Sequence, residues 1–141
     1  MRKSFARKNF FNNMERKEFE KLVEKALIDL PEKIREKMEN IAICVEDTPS
    51  SSQLKKVGTR IKNSLLGLYQ GVPRTVWGRE SFPVRLPDKI TIFQKPIEKL
   101  ARSNEERIAQ LVKIVVWHEI AHHFGFNEKE VRNLEKKWKF K

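Results

Sequence analysis

The sequence predicts an α+β domain, in which helices stand at both ends of the chain and short strands lie between them. From Met14 onward, apolar residues recur at the i, i+3, i+4, i+7 spacing of one helix face. A second stretch with helical spacing begins at Ser103, and a charged helix follows it. Between these regions stand three short apolar runs that are typical of strands: IAICVED, LLGLYQG and DKITIFQK.

The N-terminal helix is predicted from a single apolar face, whose members are Phe19, Leu22, Val23, Ala26, Leu27 and Leu30. Pro31 either ends this helix or opens a second short one in PEKIREKM, because proline fits only the first turn of a helix. The run IAICVED is interpreted as a buried strand, and its Cys44 as a small buried hydrophobic residue. DTPSSSQ, which follows, is rich in turn-forming residues and is predicted to be a loop.

The two remaining strands flank a long loop. LLGLYQG is predicted to be a strand although its two glycines weaken it. In DKITIFQK the two isoleucines alternate with Thr91 and Phe93, so one pair should face the core and the other should face outward. Residues 72–86 contain two prolines and a glycine and are predicted to be a loop. Loops of this length in a small domain are often functional.

The long helix is predicted to begin at Ser103 and to end at Gly125. Ser103 and Glu106 fit a capping box, in which each side chain accepts a hydrogen bond from the other residue's backbone N–H. Gly125 suits the left-handed conformation that ends many helices. The apolar side of this helix is formed by Ile108, Leu111, Val112, Val115 and Ile120. A last helix is predicted in EKEVRNLEKKWKF.

Length and charge predict one basic domain. The chain has 141 residues, which is within the usual size of a single domain, and residues 14–138 are assigned to it. The formal net charge is +11, and residues 1–13 form a basic segment that is expected to be a flexible tail. Basic tails attract polyanions without sequence preference, so weak nonspecific polyanion binding is expected.

The sequence favours a cytoplasmic protein. No apolar run approaches the roughly 18–20 residues that a membrane span needs, so no membrane partner is expected. The N-terminus lacks the apolar core of a secretory signal. One cysteine cannot form an internal disulfide, which favours a reducing compartment.

All three histidines of the chain lie in VVWHEIAHHFGFNEKE, where the predicted long helix ends. His118 and His122 are four residues apart and therefore share one helix face. Two imidazoles in this arrangement can bind one zinc ion at about 2.0–2.1 Å. Glu119 is rotated by about 100° from them and can act as general base for a water that the zinc activates. This motif on a helix is the pattern of zinc metalloproteases.

A catalytic zinc needs a third protein ligand. Glu128 stands three residues after Gly125, where the metzincin pattern has its third ligand, and it is the preferred candidate. Glu130 and Glu135 are the alternatives, and Glu128 could instead stabilise the N-terminus of the last helix. His123 points about 100° away from the metal face, so it is expected beside the ligands or at the surface.

The strands offer two further candidates. Tyr69 is the only tyrosine, and a tyrosine can stabilise the oxyanion in some enzymes of this type. Because a tyrosine in a strand is more often a packing residue, Tyr69 is interpreted as half-buried packing. The edges of LLGLYQG or ITIFQ could pair with an extended peptide by strand addition.

Four blocks of the chain resemble the small bacterial zincin-like metallopeptidases, which are also described as a minimal matrix-metalloprotease-like domain. The resemblance covers about residues 14–135, and its last block is VVWHEIAHHFGFNEKEV, whose HEIAHHFG core is the most specific part. The resemblance implies an α+β zincin fold with a short mixed sheet beside the active-site helix. It also implies a zinc protease whose substrate is unassigned. The residues it carries over are His118 and His122 as metal ligands, Glu119 as the catalytic acid and Glu128 at the acidic place after HHFG.

We therefore expect a zinc-dependent metallopeptidase that acts on a peptide or protein substrate. Two other functions stay open. The chain could be a zinc-binding regulatory or interaction protein with little general protease activity. Its charge also leaves open a basic, nucleic-acid-associated protein.

Overall fold

The computed structural model describes residues 14–58, 65–71 and 87–138, apart from five side chains in the last helix. The helices are α1 (Arg16–Ile28), α2 (Glu32–Glu36), α3 (Ser51–Val57), α4 (Gln94–Leu100), α5 (Glu105–His123) and α6 (Glu128–Trp138). The strands are β1 (Ile41–Glu46), β2 (Gly67–Gln70) and β3 (Asp88–Phe93). The predicted tail at residues 1–13 and the predicted loop at residues 72–86 lie outside the described residues.

The three strands form a mixed sheet in the order β1-β3-β2, which confirms the predicted fold class. β1 runs parallel to β3, and β2 runs antiparallel to it. The alternation predicted for β3 is wrong in one respect, because Thr91 and Phe93 are as fully buried as the two isoleucines. A central strand covered on both faces has no outward side. β1 pairs with β3 alone among the described strands and is half-buried, as is Cys44, so neither is buried as predicted.

Helix α5 packs on the sheet and forms the centre of the core. It contacts β2, β3 and α1, and its Trp117 is fully buried. The apolar face predicted for α1 is confirmed, and it lies against α5. The main core residues are Phe19, Val23, Ala26, Ile90, Ile92, Val112, Val116, Trp117 and Ile120. No helix in the described part of the chain is long and apolar enough to cross a membrane.

Two of the helices lie where the sequence predicts no helix. α3 begins inside the predicted loop DTPSSSQ, because Ser50 and Gln53 form a capping box. The Ser50 hydroxyl accepts from the Gln53 N–H at 3.1 Å, and Gln53 Oε1 accepts from the Ser50 N–H at 2.8 Å. α4 follows β3 without a connecting loop, and Pro96 is tolerated there because it lies in the first turn.

The N-terminus of α5 lies one residue beyond the predicted position. Asn104, and not Ser103, caps the helix, since its Oδ1 accepts from the Arg107 N–H at 3.0 Å. Ser103 has a left-handed backbone with φ of 57° and belongs to the preceding turn. Asparagine and serine are equally good caps, so the sequence alone does not choose between adjacent candidates.

The end of α5 at Gly125 is confirmed. Gly125 has φ of +86°, a conformation that glycine adopts without steric cost. The Phe126 N–H donates to the Ala121 carbonyl at 3.1 Å, and the Gly125 N–H donates to the His122 carbonyl at 2.9 Å. These two bonds form a Schellman turn, which reverses the chain immediately after the histidines.

Candidate metal centre

His118 and His122 lie one turn apart near the end of α5, and both are half-buried. Their ring centroids are 5.0 Å apart, with 70° between the ring planes. A tetrahedral zinc ion with metal–nitrogen distances of about 2.0–2.1 Å places two ligand imidazoles about 5 Å apart, centre to centre. The separation of the two rings therefore fits a shared zinc ion.

Glu119 lies on the neighbouring ridge of α5, and this ridge faces the sheet. Its residue is only 8% exposed. A Cβ atom on Gly67 of β2 would lie 2.6 Å from Val115 Cγ1, 3.2 Å from Glu119 Cγ and 3.4 Å from Glu119 Oε2. The glycine thus allows β2 to approach the helix closely, and it places this strand directly beside the carboxylate.

Of the three candidates for the third ligand, the structure describes the side chain of Glu130. Glu128 is the first residue of α6, and its side chain, like that of Glu135, lies outside the described part of the chain. Glu130 is exposed and belongs to a capping box with Asn127, in which the two reciprocal hydrogen bonds are both 2.8 Å long. Among the described side chains, no three histidine, cysteine or acidic groups surround a common point. The assignment of Glu128 therefore stays a prediction.

His123 is fully buried, so the alternative of a surface position is wrong. Its Nδ1 lies 2.8 Å from Oδ2 of Asp88, and the Tyr69 hydroxyl donates to the same oxygen at 2.7 Å. Because a carboxylate oxygen accepts hydrogen bonds, the tautomer of His123 with its proton on Nδ1 fits this pair. Burial raises the pKa of Tyr69, and the hydrogen bond and the charge of Asp88 raise it further. Tyr69 is half-buried as predicted, and its hydroxyl is directed to Asp88.

The sequence does not single out Asp88, which the structure places against the end of α5. Asp88 is 3% exposed, and it occupies the first position of β3, in phase with Ile90 and Ile92. These three positions face α5, because Asp88 contacts His123 of that helix and Gly67, the partner of Ile92, is directed to Val115 and Glu119. An acid at an inward position of an apolar strand is a signal for a buried partner, since a buried carboxylate needs hydrogen-bond donors.

Comparison with known families identifies the family to which the chain belongs. Residues 38–138 match the model of the zincin-like metallopeptidase family, which is well over half of the chain. The chain belongs to the zincin-like metallopeptidase family. No curated protein matches it.

The match to the zincin-like family covers the sheet and both C-terminal helices. It begins at Met38, so α1 lies outside it even though α1 packs directly on α5. The resemblance read from the sequence begins earlier, at residue 14. Membership of a metallopeptidase family implies a metal, typically zinc, and the half-buried pair of imidazoles is the described feature that fits one.

Proposed function

We propose that this member of the zincin-like family is a zinc-dependent metallopeptidase that hydrolyses peptide bonds. The observation that carries the proposal is the 5.0 Å pairing of the His118 and His122 rings, with the Glu119 carboxylate on the next ridge of the same helix. A metal pair and a buried acid supported by one rigid helix are the parts that metal-assisted hydrolysis requires.

The proposed roles follow from the positions of the side chains. His118 and His122 would hold the zinc, with Glu128 as the third ligand. Zinc, when bound, polarises a carbonyl and makes water more acidic. Glu119 takes a proton from the attacking water as the new C–O bond forms. It then returns that proton to the leaving nitrogen as the C–N bond breaks, so that a carboxylate and an amine are produced.

Strand β2 supports a peptide as the substrate class. In the described sheet β2 pairs with β3 alone, and Gly67 places it next to Glu119. An extended peptide added to this strand would run beside the carboxylate, with main-chain hydrogen bonds supplying affinity. The single cysteine supports a reducing compartment, which we propose is the cytoplasm.

The deciding experiment combines metal analysis with an exchange of one functional group. The purified chain should contain about one zinc, and Glu119→Gln should keep that zinc while peptide hydrolysis falls by about 10²–10⁴-fold. Glu106→Gln is the matched control, because Glu106 is an exposed acid in the first turn of the same helix. A chain purified from zinc-replete cells without zinc would contradict the proposal. Zinc-bound protein that cleaves no peptide of a diverse library would favour a regulatory or interaction role.

A second candidate function, polyanion binding, is favoured by the outer face of α6. Lys129, Arg132 and Lys136 are exposed and recur at the spacing of one helix face. Replacing all three by glutamine should weaken binding to duplex DNA and lower the salt dependence of that binding. Unchanged binding by this variant would assign the affinity to other basic residues. The two functions do not exclude each other.

A further inference from the structure

Asp88 joins the sheet to the end of the histidine-bearing helix. It starts the central strand β3, where its N–H donates to the Asn40 carbonyl at 2.9 Å. Its Oδ2 accepts from Tyr69 of β2 and from His123 of α5. A Cβ atom on Gly71 would lie 2.3 Å from its Oδ1, so the chain at Gly71 passes close to this second oxygen. The carboxylate on β3 is therefore hydrogen-bonded to both β2 and α5.

The last turn of a helix needs such external support. Its carbonyls have no partners within the helix, and helix ends fray. His118 lies a full turn inside α5, whereas His122 lies in the last turn, next to His123. The bond from Asp88 to His123 and the Schellman turn at Gly125 both hold this turn in place.

We propose that Asp88 is a positioning residue for the metal site, which fixes the orientation of His122 by holding the buried ring of His123. This inference rests on the proposed zinc function. Asp88 touches neither the metal nor the substrate in this role. Its hydrogen bond to Tyr69 also ties the position of β2 to the same carboxylate, so the helix end and the strand beside Glu119 share one anchor.

The test measures the zinc dissociation constant of the full-length chain by competition with a chromophoric chelator. Asp88→Ala should bind zinc about tenfold more weakly, as is typical when a group that orients a ligand is lost. Glu98→Gln is the control, because Glu98 is a buried carboxyl that is hydrogen-bonded outside the site. The zinc affinity of the Glu98→Gln variant should equal that of the wild type. Equal zinc affinity in Asp88→Ala and the wild type would overturn this inference and leave the proposed zinc function intact. A wild-type chain that binds no zinc would overturn the proposed function as well.

A spectroscopic measurement separates positioning from general stability. With Co²⁺ in place of zinc, the visible bands of Asp88→Ala should differ in position or intensity from those of the wild type, because they depend on ligand geometry. A purely structural role would lower the stability of the metal-free protein and leave the bands of its folded fraction unchanged, and that result would overturn the inference.

A second pair of variants decides the question if Asp88→Ala does not fold. His123→Asn keeps an N–H donor close to the place of Nδ1, and His123→Leu removes it. We expect His123→Asn to bind zinc nearly as tightly as the wild type, and His123→Leu to bind it about tenfold more weakly. Equal zinc affinity in the two variants would overturn the inference. If both variants lost affinity strongly and equally, that result would overturn the inference and indicate that His123 itself binds the metal.

Discussion

Thr91 carries a hydroxyl into the centre of the sheet. Its residue is fully buried, and its Oγ1 has no hydrogen-bond partner within the described part of the structure. A buried polar group without a partner costs about 1–3 kcal/mol, and valine has nearly the same shape without that group. We therefore predict that Thr91→Val raises the free energy of unfolding by about 1 kcal/mol, measured by urea denaturation. A loss of stability would show that the hydroxyl is satisfied elsewhere.

The residues of the motif were predictable because they are neighbours in the chain. His118, Glu119 and His122 follow helix periodicity alone, and the structure brings the two imidazoles together as the spacing requires. The role of Asp88 was not predictable in this way, since its partner His123 is 35 residues away and becomes a neighbour only when α5 packs on the sheet. A buried acid signals that a partner exists but does not identify it.

Strand β2 packs closely against helix α5 because residue 67 is a glycine. A Cβ atom on Gly67 would lie 2.6 Å from Val115 Cγ1, so Gly67→Ala forces the strand away from the helix. We predict a loss of about 1–3 kcal/mol in stability, together with reduced peptide hydrolysis. Gly58→Ala is the control, because Gly58 has φ of +77° but open space around it. It should lose about 1 kcal/mol from backbone strain and keep full activity per folded molecule. Full activity in Gly67→Ala would contradict the proposed binding of the peptide along β2.

The buried carboxyl of Glu98 in α4 is hydrogen-bonded to the start of the described chain, just before α1. Its Oε2 accepts from the Met14 N–H at 2.9 Å and from Gln94 Nε2 at 3.1 Å. Burial raises the pKa of Glu98 above its usual value of 4.5, and the bonds from Gln94 and Met14 offset only part of this effect. The pKa of Glu98 is therefore higher in the folded chain than in the unfolded chain. The stability that this difference contributes is fully present below pH 4.5 and is lost as the pH rises through the pKa of the folded chain.

We therefore predict that Glu98→Gln gains stability relative to the wild type as the pH rises from about 4 to about 7, because glutamine carries no charge to desolvate. Urea denaturation of both proteins at the two pH values measures this difference. A stability difference that does not change with pH would contradict the prediction.

Helix boundaries were less predictable than helix existence. The apolar periodicity of α1 and α5 was sufficient to find both helices, because each buries one face. α3 was missed since serines serve equally well in turns and at helix N-termini. α4 was missed because it has only seven residues and follows β3 directly, which leaves no loop composition to mark the change.

The whole molecule carries a net charge of +11 on 141 residues. Such an excess of one sign destabilises the compact state through self-repulsion, and salt screens this repulsion. We predict that the zinc-free chain becomes more stable between about 0.01 M and 0.3 M NaCl. A gain of about 1 kcal/mol would raise Tm by roughly 3–5 °C.

A variant with fewer surface charges provides the control for this salt effect. Lys17, Lys21 and Lys33 are exposed, and their replacement by glutamine should make Tm less sensitive to salt. A Tm that falls or stays constant as salt is added to the wild type would show that opposite charges are already well paired.

The strand order β1-β3-β2 has a consequence for synthesis of the chain on the ribosome. The two outer strands are translated first, yet they do not pair with each other, and the strand that joins them is the last of the three to emerge. Neither strand can therefore enter the sheet until residue 93 has left the exit tunnel. Folding of this sheet should begin late in translation and depend on contacts between distant parts of the chain, which form slowly.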